Sequence, residues 1–211
     1  KYDGFIRKED LAAYYPEWVD PINVNYRGYD IWEIPPNGQG LVALMALNII
    51  KGFEFEAKDT IDTYHKQLEA LKLAFIDGKK YITDPEKMGV TVEELLSEEY
   101  AEERRKLIKN KALMPEPGTP LKGGTVYLAA ADGEGNMVSY IQSNYMGFGS
   151  GLVVPGTGIA LQNRGHSFSL KEEDYNSLEP RKRPYHTIIP GFITKGDYAV
   201  GPFGVMGGYM Q

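Results

Sequence analysis

Apolar residues recur at helical spacing through the first half of the chain and alternate as in strands through the second. Residues 59–81 set Ile61, Tyr64, Leu68, Leu71 and Phe75 three or four positions apart, which predicts an amphipathic helix. "LVALMALNIIKG" (41–52) is apolar nearly all round and predicts a buried helix ended by Gly52. At 91–110 Thr91 stands as a cap with Glu94 at the capping-box spacing, and the acidic start and basic end suit the helix dipole. A short helix at 9–14 stops before Pro16. Between these, "NVNYRGYDIWEIP" (23–35) is aromatic and β-branched with a central glycine and predicts an extended stretch. "PPNGQG" (35–40) reads as a turn cluster.

The pattern changes after residue 110. "NKALMPEPGTPLKGG" (110–124) holds three prolines and three glycines and reads as an exposed connector. Beyond it "TVYLAAAD" and "NMVSYIQS" flank "GEG", a hairpin signal, and 158–164, 186–194 and 198–203 read as further strands. The boundary between a mainly helical and a mainly strand half falls at Thr125, and no internal repeat is present.

Composition narrows the function classes. The 211 residues are 42% hydrophobic and 25% charged, a soluble globular balance. A formal net charge of -6 argues against a nucleic-acid partner, because phosphate binding needs a basic surface. The "PRKRP" run (180–184) reads as a solvated loop under that overall charge. No apolar run has the length of a membrane span. With no cysteine there is neither a disulfide framework nor a thiol nucleophile, which fits a reducing, cytoplasmic-type compartment. His65 lies on a predicted helix and reads as structural. His166 and His186 lack metal-ligand spacing, so neither a metal site nor a cofactor is expected. The first residues show no signal-peptide pattern, and both ends read as the middle of a longer chain.

Thr125 follows Gly123-Gly124 and opens a strand. One reading is a loop meeting a hairpin, since threonine is common at strand starts. The other is chemical. A threonine hydroxyl needs a base, and a threonine that heads its own chain has one in its free α-amine. That requires cleavage of the Gly124–Thr125 bond, for which a Pro/Gly linker and an unbranched Gly124 leave room. Acyl transfer also needs donors aimed at an oxyanion, and the Gly207-Gly208 pair is the candidate, although glycine pairs are also ordinary turns.

From Glu9 to Gln211 the chain resembles the gamma-glutamyltranspeptidase family of N-terminal-nucleophile hydrolases. The first half carries "RKEDLAAY", "YRGYDIWEIPPNGQG", "LNIIKGFEF" and "EALKLAFIDGKKYITDP". The second carries "GTVYLAAADGEGNMVSYIQS", "GFGSGLVVPGTGIALQN", "KRPYHTIIP" and "GVMGGYMQ". The resemblance implies an α+β fold, part of a four-layer αββα sandwich that this chain leaves incomplete. It implies that residues 1–124 are the end of a large subunit and 125–211 the start of a small one, both from one autocleaved precursor. Thr125 then corresponds to the nucleophile, Ser143 to a supporting hydroxyl, and Gly207 and Gly208 to the oxyanion hole.

Other positions depart from the family pattern. The Asn, Gln or Glu, and Asp that gather the donor's α-amino group correspond to Tyr145, Arg164 and Ser167 here, and the Ser-Ser pair at its α-carboxylate to His186 and Thr187. Exchanging an anion for serine and a neutral amide for arginine disfavours an ammonium group and favours an anion. The expectation is an amide hydrolase or acyltransferase with a small-molecule donor of glutaryl type. The alternatives are γ-glutamyl transfer from glutathione-type donors and a silent scaffold acting as a binding protein.

Overall fold

In the computed structural model, residues 4–113 and 125–207 are described. The expected extended stretch at 23–35 is a hairpin of β1 (Ile22–Tyr26) and β2 (Tyr29–Glu33). Arg27 (φ 54) and Gly28 (φ 87) turn between them, both in the left-handed region that a tight hairpin requires. The first helix, α1, is Lys8–Ala12.

Helix α2 (Gly40–Ile50) buries residues on every side, as its apolar sequence predicts. Its last carbonyls are satisfied by α5 (Glu98–Leu107): Arg105 donates from Nε to the Ile49 carbonyl (2.9 Å) and from Nη2 to that of Asn48 (3.0 Å). Gly52 follows the C-cap Lys51, where the helix is expected to end. It leaves room for Arg105, whose guanidinium a Cβ there would strike.

Helix α3 (Ile61–Tyr81) has nearly the expected length, capped by Thr60 accepting from the Thr63 N–H, but of the five expected inward positions only Leu71 and Phe75 pack on the core. Ile61, Tyr64 and Leu68 are exposed, while Ala70, Leu73, Ala74, Phe75 and Gly78 are buried. The small residues decide this orientation, since α2 approaches so closely that a Cβ on Gly78 would meet Val42. Asp77, also on that side, is buried and paired with Arg104 of α5.

The expected helix at 91–110 is two. α4 (Val92–Leu95) starts at the predicted Thr91–Glu94 capping box, and Ser97 caps α5 by accepting from the Tyr100 N–H. Among the described residues no helix is long and apolar enough to cross a membrane.

The second half supplies β3 (Thr125–Ala131), β4 (Met137–Ser143), β5 (Pro190–Lys195) and β6 (Tyr198–Gly204). Segment 158–164 is not the expected strand. It makes one bridge, Val153 to Ala160, in a glycine-rich loop, then enters a 3-10 turn at Arg164–Ser167. The left-handed Gly149, Gly151, Gly156 and Gly158 prevent a regular ladder there. The strand expected at 186–194 begins only at Pro190.

One antiparallel sheet runs β1-β2-β5-β6, joining strands from both sides of Thr125. Val24 and Ile31 bury one face against Leu44 of α2, with Ile193 and Phe203 alongside. The β3-β4 hairpin lies on the other face, where the Tyr127 ring covers Gly204, the neighbour of inward-facing Phe203. Helices, sheet and hairpin thus form three successive layers.

Candidate active site

Strands β3 and β4 pair in full register, so their ends meet and Thr125 stands opposite Ser143. The two hydroxyl oxygens are 2.9 Å apart. The Tyr145 N–H donates to Ser143 Oγ (2.9 Å), which occupies one acceptor position of that hydroxyl and fixes its place beside Thr125. Tyr145 needs a left-handed backbone for this (φ 72), an uncommon state for a bulky residue that marks an over-determined position.

The Tyr145 ring is buried and forms a platform. The Arg164 guanidinium carbon lies 4.0 Å from its centroid, a cation–π arrangement, and the His166 ring lies 6.2 Å away. Arg164 is 3% exposed and donates from Nη1 to Thr187 Oγ1 (2.9 Å). His186 is the adjacent residue. Burial, reinforced by the Arg164 charge, lowers its pKa to about 3, so its imidazole is neutral at ordinary pH. Ser167 closes the same 3-10 turn as Arg164, and its carbonyl accepts from Asn176 Nδ2 (2.6 Å).

The positions singled out in the sequence therefore form one contact set. Thr125, Ser143, Tyr145, Arg164 and Thr187 touch in succession, His186 adjoins them, and Ser167 shares the turn that carries Arg164. Gly207 follows β6 with φ 106, and its strand end is drawn to the start of β3 by a contact from the Tyr127 N–H to Met206 Sδ (3.2 Å). Gly124 and Gly208 lie outside the described residues. His65 has the expected structural role, its Nε2 meeting the Lys109 carbonyl at 2.6 Å.

Sequence reasoning missed the residues that hold this set. Asn163 accepts from the Met146 N–H (3.1 Å), and its own N–H reaches the Asn144 carbonyl (3.3 Å), pinning the loop beneath Tyr145. Asn37 and Gln39 grip the segment carrying His186, Gln39 through Tyr185 of that segment. The only sequence signal of Asn37 and Gln39 is polar residues within a proline- and glycine-marked turn.

The model of the family described as Gamma-glutamyltranspeptidase matches residues 1–211. The chain belongs to that family. A glutathione hydrolase-like YwrD proenzyme of Bacillus subtilis is 40% identical over 210 residues, covering 99% of this chain and 40% of that protein. An oxamate amidohydrolase proenzyme of Klebsiella pneumoniae is 37% identical over 199 residues, covering 94% of this chain and 38% of that one. Among solved structures, a cephalosporin acylase from Bacillus halodurans superposes with a TM-score of 0.92 at 71% identity, over 99% of this chain and 38% of that chain. The chain thus spans about 40% of the length of the relatives it matches. The mixed helix and sheet arrangement is that of the N-terminal-nucleophile hydrolase sandwich, in part. By name these relatives are glutathione hydrolases, an amidohydrolase and acylases.

Proposed function

We propose that this chain carries the nucleophile of an autoprocessing amide hydrolase or acyltransferase, with residues 1–124 ending the large subunit and 125–211 beginning the small one. The observation that carries the reading is the pair of hydroxyls, Thr125 and Ser143, 2.9 Å apart where two strands end together. In self-cleavage, Thr125 Oγ attacks the Gly124 carbonyl and the amide becomes an ester with a free Thr125 amine. Water then hydrolyses the ester, leaving a carboxylate on Gly124 and a free hydroxyl and amine on Thr125.

In turnover the same hydroxyl attacks the substrate's amide carbon while the Thr125 α-amine takes its proton. The amine gives that proton to the leaving nitrogen as the C–N bond breaks. Ser143 donates to Thr125 Oγ and steadies it, and the Gly207 and Gly208 N–H groups stabilise the tetrahedral oxyanion. Water or an acceptor amine then attacks the acyl ester and regenerates the hydroxyl.

The donor proposed is a dicarboxylic monoamide of glutaryl type. A buried guanidinium beside a neutral imidazole gives the region next to Ser143 a positive bias, which favours a distal carboxylate over an α-ammonium group. Two experiments on the full-length protein test this. On a denaturing gel, wild type splits at Gly124–Thr125, and Thr125→Ala remains one band and loses turnover. With paired anilides, glutaryl anilide is preferred over γ-glutamyl anilide. A clear γ-glutamyl preference sinks the donor assignment, and an intact wild-type chain sinks the mechanism.

A further inference from the structure

A hydrogen-bonded clamp joins the turn at 35–40 to the segment 184–187. The Gln39 N–H donates to the His186 carbonyl (2.8 Å), and the His186 N–H donates to the Asn37 carbonyl (3.0 Å). Asn37 Nδ2 donates to the Pro184 carbonyl (2.6 Å), and Tyr185 Oη donates to Gln39 Oε1 (2.6 Å). Both side chains of the last contact are buried, Gln39 at 0% and Tyr185 at 5% exposure.

Gln39 also occupies the N-cap position of α2, yet its side chain makes no cap hydrogen bond. Ser, Thr, Asp or Asn is preferred at that position because a short side chain reaches back to the helix N–H groups. Here a longer amide bonds instead to the segment that carries His186 and Thr187. A buried polar side chain directed away from its own helix is better placed to hold a neighbour than to stabilise α2. The neighbour it holds leads straight to the site: Thr187 receives Arg164, Arg164 lies on Tyr145, and the Tyr145 N–H fixes Ser143.

We propose that Gln39 and Tyr185 are positioning residues for donor recognition. Their bond sets the height of His186 and Thr187, and through Thr187 that of the Arg164 guanidinium. Neither touches the donor. The pocket that follows Thr125 is thereby adjusted by a turn that precedes it, across the bond proposed to be cut. The inference rests on the acyl-transfer reading above and adds to it the residues that tune the pocket.

The test uses full-length Tyr185→Phe, Gln39→Ala and the double variant. KM and kcat are read with whichever anilide, glutaryl or γ-glutamyl, wild type turns over better. Tyr185→Phe keeps the ring and removes only the hydroxyl, so it carries the test even where Gln39→Ala folds poorly. The expected result is a KM raised about three- to tenfold by Tyr185→Phe, the size of one buried neutral hydrogen bond, with kcat within about twofold. Self-cleavage into two bands persists, and the double variant is no worse than Gln39→Ala because both remove one interaction. An unchanged KM with only a lower Tm overturns the proposal, as does a KM effect that multiplies in the double variant. Failure of the underlying acyl-transfer reading shows itself elsewhere, as turnover that survives Thr125→Ala.

Discussion

Glu33 ends β2 and turns its carboxyl group inward, where it is 2% exposed and neither oxygen has a hydrogen-bond partner. Two glycines make the space: a Cβ on Gly40 would stand 2.6 Å from Oε2, and one on Gly191 2.6 Å from Oε1. Burial raises its pKa from 4.5 to about 8. The folded protein therefore keeps a proton that the unfolded chain releases near the ordinary carboxylate pKa. Stability falls as pH rises from about 5 to about 8, where the unfolded state binds fewer protons, and the loss is complete above that window. Glu33→Gln removes this dependence, so its stability relative to wild type should rise across that window by an amount on the order of a few kcal/mol. Urea unfolding of both proteins at several pH values checks it, and a constant difference would disprove it. Nothing in the sequence marked Glu33: strand period places it on the face of buried Ile31, but an acidic residue at a strand end beside a turn looks solvent-facing. Thr125 was legible as a hydroxyl opening a strand after Gly-Gly, and Ser143 only through the family resemblance; the hairpin register, seen in the structure, sets the two opposite each other.

At the scale of elements, local signals were read well where they act locally. The Thr91–Glu94 capping box, the GEG hairpin and the apolar run of α2 each appear in the structure where the sequence puts them. Signals that depend on packing were read less well. Leu68 of α3 satisfies helical periodicity but faces outward, because close approach to α2 selects the alanine and glycine side of the helix. Ser97 restarts a helix that periodicity ran straight through, since its hydroxyl offers a second cap. The 158–164 segment has strand-like composition, but its glycines carry left-handed turns and it serves as a loop that delivers Arg164. The turn 35–40 was legible as a turn and not as a clamp, because Asn37 and Gln39 act on a segment nearly 150 positions later.

At the scale of the molecule, the boundary at Thr125 divides the sequence but not the sheet. Strand β2 pairs with β5 through Asp30–Thr194, Ile31–Ile193 and Trp32–Phe192, so upstream and downstream segments share one hydrogen-bonded layer. Trp32 Nε1 adds a bond to Thr194 Oγ1 (2.9 Å), and α2 buries Leu44 beneath both strands. The clamp at Gln39 and the Arg183 contacts with Asp84 are further crossings. Cutting one peptide bond in the connector removes none of these contacts, and the pieces remain joined by an interior and not by a surface patch. Once the bond is cut as proposed, both bands should therefore elute as one native peak in size-exclusion chromatography and part only in denaturant. Gly191→Val should lower the denaturant concentration at which they part, because its Cβ runs into the Phe203 ring and Glu33. Two native peaks from cleaved wild type would mean that the sheet does not hold the halves together, and the pocket clamp across the cut could not then operate.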